Sequence, residues 1–479
     1  MKSPAEGPPS NAAPARPPHA RRWLALAVLA GSQLLIVLDA TVVNVALTAI
    51  RADLDLSVAE LQWTVTFYVL AFGGFLLLGG RLADRYGRRR MFIASAAVFG
   101  LGSLLAGYAH GAAVLFAGRA LQGLAAAVLA PAALSLLMTV FPEGRDRHRA
   151  LAVWGGVSAG GTALGLILGG VLTQALSWHW VFWVNVPIVM VAVPAARFLL
   201  PEARSKQPER FDVAGALLGT AGVLGLVYGL VTGAENGLVP ALPVMLVSLA
   251  LLGAFARMQS VRPHALVPIR LLRNRTLVGA DAVGLILAAS LYSLFYFLSL
   301  FMGGVLGYGP VATGLAFLPM TIAIAAASAG AASLLPRLGI RPVLVISVLL
   351  VAVAFAGLTR IDLQSSYPGT LLPPLLLVGV GLGLAFVALT AAAVGSASPG
   401  DSGIAAALFN AGQQIGAALG LAALTAVSAI RTSGLTPPGS AEPTTEAVVR
   451  GWSLGFSVAA VFMLAGLLVI MTTMKPRDP

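Results

Sequence analysis

The chain contains no cysteine, which excludes disulfides, thiolate nucleophiles, iron–sulfur clusters and Cys-ligated zinc. Its five histidines, at positions 19, 110, 148, 179 and 264, fall at no metal-ligand spacing. Charge is scarce as well. Only 10% of the 479 residues are Asp, Glu, Lys or Arg, against 58% hydrophobic side chains, a balance foreign to a string of soluble domains. A nucleotide-binding P-loop is missing, so ATP is not the energy source, and no HExxH, paired acids or Ser/His/Asp set marks an embedded enzyme. The net charge of +12 does not point to nucleic acid, because the positive residues punctuate apolar runs as orientation signals do.

What is present is a series of apolar runs, each long enough to cross a bilayer at roughly 21 residues per crossing. They lie near 23–50, 58–80, 91–109, 112–140, 150–173, 180–200, 213–232, 239–258, 276–304, 311–334, 342–359, 371–394, 403–429 and 451–474. Taking the loops alternately puts 25 Lys and Arg on the side of both termini and four on the other, Arg51, Arg360, Arg431 and Arg450. So strong a bias predicts cytoplasmic termini and an even number of spans. Ser57 and Glu60 read as a capping box before the second span. The proline-rich stretch 1–22 reads as a disordered cytoplasmic tail, and the run after it is too long for a signal peptide. Residues 475–479 form a second short tail, and the tract at 434–445 an outward loop.

A shift of 252 residues superposes punctuation in the two halves: Leu82 on Leu334, Arg85 on Arg337, Gly87 on Gly339 and Arg89 on Arg341. That offset is long for six helices and suits six plus an inserted pair. The expected architecture is all-α: a six-helix bundle at 23–200, a linker with two accessory helices at 201–275, and a second six-helix bundle at 276–474. Parallel halves of this kind hold a site at their midplane interface.

Gly80, Leu82, Ala83, Asp84, Arg85, Gly87, Arg88 and Arg89 spell GxLADRxGRR between spans 2 and 3, which resembles the signature loop of the major facilitator superfamily. LDATVVNVAL (38–47), RALQG (119–123), WHWVFWVNVP (178–187) and FNAGQQIGAALGLA (409–422) resemble its fourteen-helix drug:proton antiporter branch. The resemblance implies proton-driven efflux of amphipathic, often cationic compounds across a bacterial cytoplasmic membrane, by a monomer whose partners are substrate, protons and lipid. The proton gradient would be the energy source, with no cofactor. Export of a single endogenous metabolite is the alternative. The branch's helix-5 motif is GPxLGPxLGG; here Gly161, Gly165, Gly169 and Gly170 remain, but Thr162 and Leu166 stand in place of the prolines.

Leaving aside charges within three residues of a span end, three charged side chains fall inside spans, a placement that costs about 2.5–3.5 kcal/mol at a helix centre: Asp39, Arg119 and Asp281. These are the proton-coupling candidates. Asp39, about 24 Å along the first span, is assigned to the central cavity, and Asn44, on another face, to an interhelical hydrogen bond; the reverse assignment and a structural ion pair stay open. Arg119 cannot carry the proton but can favour the charged form of an acid nearby, unless it snorkels to the outer interface. Asp281 begins a stripe through Leu285, Ala288, Tyr292, Tyr296 and Ser299 suited to a cationic amphiphile, or else steadies a helix N-terminus. The substrate cavity is assigned to Trp63, Tyr68, Gln122, Tyr292, Tyr296, Asn410 and Gln414. Gating falls to Gly80, Asp84, Arg85, Gly87, Arg88 and Arg89, with Arg81 and Arg90 as topological anchors.

Overall fold

The computed structural model describes residues 19–141, 144–202, 212–262, 265–396, 402–436 and 443–474. Residues 1–18 and 475–479 of the expected tails and 437–442 of the expected outward loop lie outside the described residues. The described chain is helical and carries fourteen helices long and apolar enough to cross a membrane. These are α1 (His19–Leu54), α2 (Trp63–Tyr86), α3 (Arg88–Gly107), α4 (Ala112–Val140), α5 (Arg145–Ala175), α6 (Trp180–Leu199), α7 (Val213–Asn236), α8 (Leu238–Val261), α9 (Arg275–Gly304), α10 (Pro310–Leu338), α11 (Ile340–Leu358), α12 (Leu372–Gly395), α13 (Ser402–Leu435) and α14 (Thr445–Thr473). An even number of spans returns the chain to the side on which it began; we call that side near and the opposite one far.

Helix pairing repeats across the two halves. In the first, α2 packs on α4, α3 on α4, α1 on α5, α3 on α6, and α1 on α6 and α4. Adding eight to each label reproduces the second half: α10 on α12, α11 on α12, α9 on α13, α11 on α14, and α9 on α14 and α12. The halves meet through α2 with α13 and the symmetry-related α5 with α10, and α1 faces α9 between them. The signature loop repeats down to its backbone. Gly87 ends α2 at φ 107° and Gly339 ends α10 at φ 84°, a left-handed reversal that side chains with a Cβ resist. This is why the two positions match in the 252-residue shift.

The inserted pair stands outside the bundles. α7 lies against α2 and α13, and α8 against α7. Only 11% of the apolar window of α8 is buried, so the helix offers most of its surface to lipid. Asp212, itself buried, caps α7 through Gly215 N (2.9 Å) and accepts from Gln259 Nε2 (2.7 Å) and Arg262 Nη1 (2.8 Å) at the end of α8. The capping box is formed too, with reciprocal bonds between Ser57 and Glu60.

Glycine sets how closely the elements approach, as expected where lipid supplies no hydrophobic drive between helices. Gly161, Gly165 and Gly169 face α1 at every fourth residue of α5; a Cβ on Gly165 would lie 2.0 Å from Thr41 Oγ1, and one on Gly169 2.7 Å from the Val42 carbonyl oxygen. Gly170 points instead at the other half, where a Cβ would meet the Pro310 carbonyl oxygen at 2.7 Å. Gly314 of α10 returns the contact against Leu166 O at 2.3 Å. The helix-5 motif is therefore a two-sided packing stripe, and α5 runs unbroken without the prolines.

Candidate functional site

The polar centre of the molecule is a buried cage around Asp39. Its Oδ2 accepts from Arg119 Nη1 at 2.5 Å, and its Oδ1 accepts from Gln122 Nε2 at 2.6 Å and Asn185 Nδ2 at 2.8 Å. Gln122 and Asn185 also donate to Ser103 Oγ, at 2.8 and 3.3 Å. Arg119 completes its own shell with Nε–H to the Thr64 carbonyl (2.8 Å), Nη1–H to Gln122 Oε1 (3.0 Å) and its guanidinium 4.3 Å from the Tyr68 ring centroid. Asp39, Gln122 and Asn185 have no exposed surface, and Arg119 keeps 1%. Five helices supply the cage: α1, α2, α3, α4 and α6.

Local sequence explains how each group arrives. Arg119 and Gln122 are three residues apart and so share one face of α4. Asn185 follows a sharp corner in which Trp178 Nε1 donates to Asp53 Oδ2 (2.9 Å) and the His179 ring stacks on Trp178 at 3.8 Å. Burial in that corner holds the His179 imidazole below its usual pKa, against a smaller upward pull from Asp53. The corner fixes where the next helix starts, and Asn185 enters the cage from there.

The structure brings Asp39, Arg119, Gln122 and Tyr68 together, but it seals them inside the first half. Asp39 is therefore not on an open central cavity as the sequence suggests, because α3 and α6 close over it with Ser103 and Asn185. Asn44 differs also: its amide donates to Ala40 O and Thr41 O of its own helix. The bond between helices belongs to Gln33, whose Nε2 donates to Ser158 Oγ of α5 at 3.0 Å. Arg119 does not snorkel.

Between the halves, Tyr292 and Gln414 are half-buried and Asn410 is exposed, whereas Trp63 departs from the expected cavity wall, its ring lying 5.1 Å from Phe67 and 6.5 Å from Tyr228 of the inserted α7. Tyr292 Oη donates to Gln414 Oε1 at 3.5 Å. Tyr296 departs from the expected cavity wall; it is fully buried, 5.9 Å from the Phe297 ring. The stripe from Asp281 thus divides. Its upper part, Tyr296 and Ser299, is closed into helix packing, while Asp281, Leu285 and Tyr292 stay half-buried. Asp281 Oδ1 is buried and accepts no hydrogen bond from the described residues.

In the signature loop, Asp84 pairs with Arg88 four residues on, at 2.9 Å to Nε and 2.8 Å to Nη2. Arg89 donates to the Leu200 carbonyl (3.2 Å) and, like Arg90, lies 3.7 Å from Glu202, which ties the loop to the end of α6. Arg81 is more than an anchor, since it donates to the Ala265 carbonyl at 2.7 Å in the segment leading to α9. Arg85 lies 6.0 Å from the Tyr86 ring. Asp84→Asn is expected to cut transport about tenfold or more, the scale of one charge-assisted hydrogen bond, and Arg90→Gln to change it less than about twofold. Initial rates in vesicles at matched protein level check this; equal rates in both variants would reduce the loop to a topological signal.

A family model described as Major Facilitator Superfamily matches residues 29–421. The chain belongs to that superfamily. It is 41% identical over 466 residues to the puromycin resistance protein pur8 of Streptomyces alboniger, covering 96% of this chain and 92% of the relative. It is 38% identical over 458 residues to the cephamycin export protein CmcT of Amycolatopsis lactamdurans, covering 94% and 92%. The multidrug resistance protein Stp of Mycobacterium tuberculosis is 30% identical over 406 residues, covering 84% and 75%. Among solved structures, the nucleoside transporter NupG aligns with a TM-score of 0.67 at 13% identity, over 94% of this chain and all of that one. A likeness at that identity concerns the fold alone. The family and fold are those of multi-pass membrane transporters of small molecules.

Asn185, Ser103 and the Thr64 carbonyl are cage members that the sequence reading missed. Asn185 lies within WHWVFWVNVP (178–187) and, like Ser103, is a polar residue in an apolar run, which is the trace these two leave in the sequence. The carbonyl left none.

Proposed function

We propose that the chain is a proton-driven antiporter, with near side cytoplasmic, that exports amphipathic antibiotic-class compounds across a bacterial cell membrane. The observation that carries this is the Asp39 cage. It holds one carboxylate out of contact with solvent, opposite a guanidinium that stays protonated at any working pH. Adding a proton to Asp39 removes the anion from the pair and leaves the Arg119 charge to the Thr64 carbonyl, Gln122 and the Tyr68 ring. Such a change at a site closed to solvent is large enough to bias the packing of five helices. The proton gradient is the energy source in this reading, no cofactor takes part, and the working unit is a monomer.

The relatives' names, puromycin resistance and cephamycin export among them, favour a second reading in which one antibiotic is the dedicated substrate. Everted vesicles assayed with a panel of antibiotics separate the two. Broad efflux predicts proton release from the vesicle interior on adding several unrelated compounds; dedicated export predicts it for one class. Inserted protein that moves no compound under any pH gradient would overturn both.

A further inference from the structure

The two halves approach one another on the far side through several contacts. A Cβ on Gly303 of α9 would lie 2.7 Å from Thr48 Cγ2 of α1, and Gln174 of α5 accepts from Val311 N of α10 at 3.3 Å. Gly170 and Gly314 face the opposite half across the same seam. One contact between the halves is a buried polar pair: Thr425 Oγ1 of α13 lies 2.5 Å from Gln62 Oε1, just before α2, and its one hydrogen is shared between that oxygen and the Leu421 (2.7 Å) and Ala422 (3.1 Å) carbonyls of its own helix, with Gln62 1% and Thr425 7% exposed.

Gln62 belongs to the same rigid turn as the backbone acceptor of Arg119. The Gln62 carbonyl accepts from Val65 N (3.1 Å) and Thr66 N (3.0 Å), so residues 62–66 move as one body. On one side that body presents the Gln62 amide to Thr425; on another it presents the Thr64 carbonyl to Arg119 Nε. Arg119 is held in turn by Asp39. The buried hydroxyls of Thr64 and Thr66 have no hydrogen-bond partner among the described residues, so the same turn has hydrogen bonds to gain in a second position.

We propose that the Gln62–Thr425 pair is the far-side latch of the transport cycle, and that Gln62 and Thr425 are positioning residues on which the Asp39–Arg119 pair acts through the Thr64 carbonyl. The second clause rests on the proton-coupling reading above; the latch itself does not. Groups around Asp39 that carry charge or titrate are Arg119 from α4 and Tyr68 from α2, with Tyr292 of α9, in the other half, near enough to act on Tyr68 and Arg119 electrostatically. α3 and α6 contribute the uncharged Ser103 and Asn185, with the Phe182 ring of α6 5.8 Å from the Arg119 guanidinium, and α5 offers the glycine stripe. Because coupling between two sites is reciprocal, the effect of Asp39 protonation on the latch equals the effect of latch opening on Asp39.

The natural absence of cysteine makes the test direct. Leu176→Cys and Leu363→Cys place spin labels on exposed far-side residues of opposite halves, 58% and 48% exposed. Pulsed electron paramagnetic resonance on the full chain in lipid nanodiscs then reads the far-side open fraction across pH. In the otherwise unaltered chain, the open-to-closed ratio is expected to differ between the low-pH and high-pH plateaus. Thr425→Val and Gln62→Leu are each expected to raise the open fraction at both plateaus and to reduce that difference at least about fivefold, the lower end of typical coupling; Thr425→Ser restores it. Gln174→Leu, a far-side change off this path, shifts the plateaus and keeps their difference. An open fraction unmoved by Thr425→Val overturns the latch. A raised open fraction with the plateau difference intact overturns the route through Thr64. If the parent chain shows no pH dependence, proton coupling fails instead, and the Thr425→Val open fraction still decides the latch.

Discussion

Asp39→Asn is expected to abolish transport driven by a pH gradient for every substrate while leaving exchange of substrate down its own gradient. The variant keeps the shape of the side chain and loses the charge that Arg119 faces. One proton entering down about 100 mV and one pH unit releases roughly 3.7 kcal/mol, enough for about a 500-fold gradient of a neutral compound. Without a titrating group the accumulation ratio should fall to about one, the equilibrium of an uncoupled carrier. Removing one partner of a buried ion pair costs about 3–5 kcal/mol, so lower yield of folded protein is expected too. The assay is therefore made in proteoliposomes at equal protein content, with counterflow measured beside pH-driven uptake. Counterflow retained with pH-driven uptake lost is the expected result. Full pH-driven accumulation in the variant would remove Asp39 from the coupling role, and loss of both activities would mark it as a structural acid.

The fourteen spans, the inserted pair and the repeat were legible because each leaves a one-dimensional trace: apolar length, alternation of basic loops, and turn residues recurring at a fixed offset. Gly87 and Gly339 matched because both close a helix in a left-handed conformation. The residues within the cage were harder to orient. Helical spacing put Asp39 and Asn44 on different faces, yet said nothing about which face looks into the bundle and which toward the other half. That depends on how α3 and α6 cover α1, a relation among helices far apart in sequence. Tyr296 shows the same limit. It continues the Asp281 stripe by spacing, but the closed far side buries it, so the stripe stays half-buried along only part of its length. The packing stripe of α5 was visible as glycines, whereas its division between α1 and α10 required the neighbours.

Asp281→Asn is expected to separate substrates by charge. A monovalent cation exchanged for one proton moves no net charge, so only the pH term drives it, about tenfold per pH unit. Stronger export of such a cation requires a second proton or a fixed anion that exchanges between proton and substrate. Asp281 has the placement for this: two turns into α9, half-buried, on the stripe that leads to Tyr292, with a buried oxygen that takes no hydrogen bond from the described residues. In the first half the Asp39 carboxylate is bonded by Arg119, Gln122 and Asn185 and has no exposed surface, which keeps it out of reach of a substrate ammonium group. In the proposed antiport the two acids would then have different tasks, one held for the proton and one open to the ligand. Asp281→Asn should leave the accumulation of a neutral substrate within about twofold of the unaltered chain, while lowering that of a cationic one by about tenfold. Proteoliposomes loaded with one neutral and one cationic substrate at equal pH gradients measure the two ratios side by side. Equal loss for both would show Asp281 to be part of the fold or of the common proton path, and no loss for either would make it a helix-end charge with no part in transport.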